Sequence, residues 1–185
     1  MLETSRLILK QQQEENLEKM HQWLNDPELV YYCDEDPEPY QPRPIEATEK
    51  YMKRLVNCGP NAEKDIIHYG IHKKEDGMII GYGMIALIDR YHRKCNLGIV
   101  IGEKDEWSKG YAIEALQGVI RYCFEKLDMN RIGGEIYSIN PRSVRLFENL
   151  GFKREGVCRQ SVLKKGKYAD EYIYGLLREE WKSLK

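Results

Sequence analysis

Two strand-to-helix junctions constrain this chain more than any other feature. In the first, an extended apolar run from Lys94 to Gly102 leads into Trp107-Ser108-Lys109-Gly110-Tyr111-Ala112. A helix-periodic segment, Lys109 to Leu127, follows with Ile113, Leu116, Ile120, Phe124 and Leu127 on one face. In the second, a strand from Arg131 to Ser138 leads into Asn140-Pro141-Arg142-Ser143 and a short helix ending at Leu150-Gly151-Phe152. Asn140 is a favoured N-cap, Pro141 suits a first turn, and Gly151 stands where a left-handed C′ residue belongs. Strands that each feed a helix call for helices packed on a sheet.

The rest of the chain agrees. Arg6 to Lys10 reads as a strand. Glu14 to Asn25 reads as a helix through Leu17, Met20, Trp23 and Leu24, and Asp26-Pro27 is expected to end it. Tyr31 to Pro44, rich in proline, acid and tyrosine, reads as a long loop, and Ile45 to Leu55 as a short helix. Ile66 to Ile71 and Met78 to Asp89 are two strands joined at Asp76-Gly77. Two late strands, Phe152 to Leu163 and Tyr168 to Leu177, flank the turn Lys164-Lys165-Gly166. The order gives an α/β (α+β) class, and with no repeat or linker the expectation is one domain over residues 1–185.

Charge and cysteine usage narrow the function. Lys+Arg number 29 against 30 for Asp+Glu, a net charge of −1, which argues against a general nucleic-acid or anionic-membrane binder. No apolar stretch approaches the roughly 20 residues of a bilayer span. Cys33, Cys58, Cys95, Cys123 and Cys158 are scattered singly, without metal-ligand spacing. Together with an N-terminus lacking a signal-peptide core, this gives the expectation of a cytoplasmic protein with reduced thiols and no metal. Cys95, Cys123 and Cys158 fall in strand or helix patterns and are expected in the core, while His68 and His72 sit in a strand pattern and read as structural.

Gly110 and Ala112 let backbone amides approach an anion at a helix start, although each junction alone could be an ordinary helix start. Neither Walker-loop nor dinucleotide-fold spacing is present. Taken together, the run Asn96-Leu97-Gly98-Ile99-Val100-Ile101-Gly102, WSKGYAIEAL and NPRSVRLFENLGFKREG resemble the GNAT superfamily of acyl-CoA-dependent N-acetyltransferases. RLILKQ, HQWLNDPEL and KYADEYIYGLLREEW extend the resemblance over nearly the whole chain. They are similar to the branch holding RimJ/RimL-like ribosomal-protein N-terminal acetyltransferases and spermidine/spermine acetyltransferases.

The resemblance implies a mixed, mostly antiparallel sheet of six or seven strands flanked by helices, parallel where two strands splay, with acetyl-CoA as cofactor. It implies that Ile99, Val100, Ile101 and Gly102 run along the pantetheine arm. Ser108, Lys109, Gly110, Tyr111 and Ala112 would take the pyrophosphate. Asn140 and Ser143 would be the catalytic pair near the sulfur, with Phe147 lining the same cofactor site.

Three positions depart from the family pattern. Trp107 stands where Gln or Arg is usual. Phe147 replaces a tyrosine acid, and Asn96 takes the place of a carboxylate base. Glu103, Asp34, Glu35, Asp36, Asp89 and His92 remain as candidate bases. An α-amine is roughly 10–17% neutral at pH 7, a lysine-type amine about 0.04%. A site without its base therefore suits a low-pKa amine, and the expected acceptor is a protein N-terminus. The acidic run Asp34, Glu35 and Asp36 is the candidate substrate-binding segment and favours instead a polyamine or another small amine such as an aminoglycoside. A CoA-binding module without transferase activity is the alternative from another class. A homo-oligomer is compatible with all of these.

Overall fold

The computed structural model describes residues 2–33, 41–56 and 65–183. Asp34, Glu35, Asp36 and Cys58 lie outside the described residues. The elements run β1 (Leu2–Glu3), β2 (Leu7–Gln11), α1 (Leu17–Leu24), α2 (Pro27–Cys33), α3 (Ile45–Val56), β3 (Ile67–Lys73), β4 (Ile79–Asp89), β5 (Lys94–Ile101), α4 (Tyr111–Glu125), β6 (Arg131–Tyr137), α5 (Pro141–Asn149), β7 (Lys153–Lys164), β8 (Lys167–Leu177) and α6 (Arg178–Ser183). The strands form one eight-stranded sheet in the order β1-β2-β3-β4-β5-β6-β8-β7. All neighbours are antiparallel except β5 and β6, which are parallel and joined by α4. A parallel pair needs such a crossover, and the amphipathic stripe of α4 supplies it.

Successive strand residues point to opposite faces, and Ile79 and Ile80 show the result. Ile80 joins the large core beneath α4, with Leu116, Ile120, Cys123, Phe124, Leu97 and Ile132. Ile79 joins a second cluster, Met20, Trp23, Leu24, Leu29, Met52 and Leu55, which seats α1, α2 and α3 on the other face.

Several expectations need correction. Asp26-Pro27 closes α1 but opens α2 at once. Asp26 Oδ1 accepts the Glu28 and Leu29 amides at 2.9 and 3.1 Å, so Tyr31 to Cys33 are helical rather than loop. Proline breaks a helix interior but fits its first turn. The sheet gains an eighth strand because the two residues of β1 pair with β2. Cys95 and Cys123 are buried as expected, whereas Cys158 is exposed on β7, the outermost strand. Lys165 and Gly166 both take positive φ, 49° and 70°, the geometry of a two-residue hairpin turn. Among the described residues no helix is long and apolar enough to cross a membrane, and no His/Cys/Asp/Glu group is arranged to hold a metal.

Candidate active site

The parallel pairing of β5 and β6 lasts three residues: Lys94, Cys95 and Asn96 face Arg131, Ile132 and Gly133. Beyond Asn96 the strands part, β5 staying with β4 through Ile101 and β6 with β8 through Tyr137. The Gly102 amide donates to Ile80 O at 2.9 Å. Alternation along β5 then turns the backbone groups of Ile99 and Ile101 away from β4 and into the gap. Trp107 Nε1–H takes the Ile101 carbonyl there at 2.7 Å.

A groove of about 390 Å³ opens at this gap, lined by Ile99, Val100, Ile101, Trp107, Ser108, Gly110, Tyr111, Ala112 and, from α5, Asn140, Arg142, Ser143 and Arg145. The two helix starts facing it differ. Asn140 Oδ1 accepts the Ser143 amide at 3.1 Å, so α5 is capped by its own side chain. Gly110, the N-cap of α4, sits at φ 83° and no side chain caps that helix. Its first-turn amides are open to an anion, with the helix dipole behind them. Ser108, at φ 63°, turns the loop on the approach. Arg6 fixes this end of α4: its guanidinium bonds Glu114 at 2.6 Å and Lys109 O at 3.1 Å, and lies 4.4 Å over the Tyr111 ring.

A second cavity of about 560 Å³ lies on the helix-α1-to-α3 side. It shares Tyr32, Cys33, Ile99, Val100, Asn140 and Ser143 with the groove, so the two meet at the gap. Its walls include Tyr51, Tyr82 and Tyr137, the carboxylates Glu135 and Glu171, and Arg43. On its floor, Asn96 lies across Gly133, where a side chain would collide with Asn96 Oδ1, and Asn96 Nδ2 reaches Glu135 Oε1 at 3.4 Å. His68 is buried beside Met84 on the same floor. Burial, with the Arg54 guanidinium adding to it, pushes its imidazole down to about 4, so the ring is neutral at pH 7.

The structure brings Ile99, Val100, Ile101, Ser108, Gly110, Tyr111, Ala112, Asn140 and Ser143 together around one gap. Gly102 and Lys109 do not line it. Trp23 covers Gly102, while Lys109 Nζ bonds Glu106 at 2.9 Å. Phe147 borders the larger cavity but is otherwise core, packed on Phe152 and Tyr174. Among the candidate bases, Glu103 accepts from Lys19 and Trp23, both at 2.9 Å. Asp89 pairs with His92 at 2.7 Å on an exposed turn. None of these three lines either cavity. Glu135 and Glu171 do, and sequence reasoning passed over them; the signal available was the position of Glu135 two residues after Gly133 on the strand facing Asn96.

An α-helical crossover, a splayed parallel pair and an uncapped helix start make a groove suited to an extended ligand that ends in phosphate, with a second cavity beside it. Residues 6–153 match the acetyltransferase (GNAT) domain family, and the chain belongs to it. Over 97% of each chain it is 30% identical to p20, an uncharacterized N-acetyltransferase of Bacillus licheniformis. It is 32% identical to the [ribosomal protein uS5]-alanine N-acetyltransferase of Escherichia coli over 62% of this chain and 59% of that one. The fold matches a spermidine N-acetyltransferase from Vibrio cholerae, solved with CoA and spermine, at a TM-score of 0.82 and 21% identity, covering 96% and 99% of the two chains. The chain is an N-acetyltransferase of GNAT type that uses acetyl-CoA. The residues present fit that cofactor: strand backbone at Ile99 turned away from β4 for an amide-bearing arm, and uncapped amides with two arginines for phosphates.

Proposed function

We propose that the acceptor is the α-amine of a polypeptide N-terminus, acetylated by direct attack without a covalent enzyme intermediate. The observation that carries this is the pair of acid–base positions at the gap: Asn96 stands where the family base would be, and buried Phe147 has no proton to give. Such a site works best on an amine already partly neutral at pH 7, as an α-amine is. A peptide also places its one ammonium beside Glu135 and Glu171, which line the cavity. The activity named for the E. coli relative, acting on an alanine of ribosomal protein uS5, agrees with this reading.

When bound, acetyl-CoA supplies an acetyl group activated as a thioester. Glu135, held by Asn96 at the gap, is the group that takes the proton an ammonium must lose before it can act as a nucleophile. Ser143, fixed in the first turn of α5 by Asn140, is the hydroxyl closest in role to the missing tyrosine, since buried Phe147 has no proton to give. An α-amine asks less of Glu135 than a lysine-type amine, being already partly neutral at pH 7.

The test is an acceptor panel with acetyl-CoA: free N-terminal peptides, the same peptides N-blocked with an internal lysine, and spermidine. Peptides with a free N-terminus should turn over with the highest kcat/KM, and Glu135→Gln should lower that value by about 100-fold. Spermidine exceeding every peptide would refute the acceptor assignment.

A further inference from the structure

Position 107 carries an indole, which makes no ion pair with a phosphate, and Lys109, the loop's own cation, is engaged elsewhere. Glu106 binds Lys109 Nζ at 2.9 Å and Lys73 Nζ at 3.3 Å, and Lys109 does not line the groove. Among the described residues that do, the cations are Arg142 and Arg145, both from α5. Arg142 lies with its guanidinium carbon 4.6 Å from the Trp107 ring centroid. The indole is itself anchored, its Nε1–H donating to Ile101 O at 2.7 Å and its ring packing against the α1–α3 cluster.

We propose that Arg142, held over the Trp107 ring in the groove that the uncapped amides of Gly110 and Ala112 also line, grips a phosphate of CoA. The tryptophan works here as a platform, giving the cation a fixed position through the negative face of its ring. An arginine suits this better than a lysine, because its planar fork can stack and still present two N–H groups to phosphate oxygens. The ion pair Arg142 has without ligand is a poor competitor: Glu28 Oε1 is 3.9 Å away and both side chains are largely in solvent. Trp107 is accordingly a positioning residue, and Arg142 the contact.

Calorimetric titration of the purified protein with CoA, 3′-dephospho-CoA and S-acetylpantetheine tests this without any turnover. Arg142→Ala should weaken CoA by about tenfold or more and flatten the salt dependence of its Kd, since one phosphate contact is lost. S-acetylpantetheine, which has no phosphate ester on that arm, should bind the variant as it binds the wild type. A loss that vanishes with 3′-dephospho-CoA assigns Arg142 to the 3′-phosphate, and one that persists assigns it to the pyrophosphate. Trp107→Leu should reproduce the loss and add little on top of Arg142→Ala. Trp107→Phe, which keeps an aromatic face, covers the case in which the leucine variant fails to fold, and should retain most of the affinity. Arg142→Ala binding CoA within about twofold of wild type, or weakening S-acetylpantetheine equally, would overturn the proposal.

Discussion

Gly133 and Asn96 show how single residues set this site. Because Gly133 has no side chain, Asn96 can lie across β6 and reach Glu135. The sequence displayed Asn96 as a lost base. It gave no sign of Glu135, the base proposed above, because the relation between Asn96 and Glu135 depends on a parallel register that no local pattern encodes. His68 was legible as a strand histidine, but its neutrality was not, since that follows from its burial in the fold and the nearby Arg54. Its folded value of about 4 lies below the 6.5 of an exposed imidazole, so the stability owed to a neutral His68 is full above pH 6.5 and is lost as pH falls toward 4. At pH 5 the loss should be on the order of 2 kcal/mol relative to pH 7. Urea unfolding at the two pH values should show this drop in the wild type and a smaller one in His68→Gln; equal drops would deny His68 the role.

At the scale of elements, the two helix starts that opened the sequence reading turned out to be unlike. The cap of α5 was readable because Asn140, Pro141 and Gly151 are local signals, and Gly151 does take φ 86°. The open start of α4 rests on Gly110 having no side chain to cap with, which glycine alone could not distinguish from tight packing. The second helix was missed because proline after a helix reads as a stop, whereas Asp26 makes it a restart. The seat of α5 depends on Gly134, against which the Phe147 ring rests: a Cβ there would lie 2.3 Å from Phe147 Cε1. Phe147 is held by Phe152 and Tyr174 and cannot retreat cheaply. Gly134→Ala should therefore cost about 1–3 kcal/mol in urea unfolding, and adding Phe147→Leu should recover part of it. A Gly134→Ala variant as stable as wild type would show that α5 is not pinned there.

For the whole molecule, the class and most of the element order along the chain followed from periodicity and turn residues, and the resemblance placed the splay. What the sequence could not convey is that the gap joins two cavities sharing Asn140, Ser143, Ile99 and Val100, because that is a property of where β5 and β6 part. On the proposed reading, the donor in the groove and the acceptor in the larger cavity meet at that gap. Among the described cysteines, Cys33 lines both cavities and is exposed, so of these four it is the thiol through which a two-step route would run, while Cys95 and Cys123 are buried and Cys158 lines neither cavity. Initial rates with acetyl-CoA and a free N-terminal peptide varied together decide between the two routes. Direct transfer predicts intersecting double-reciprocal lines, with Cys33→Ala retaining turnover within about tenfold. Parallel lines, with an acetylated Cys33 recovered from the enzyme and its alanine variant inactive, would contradict it.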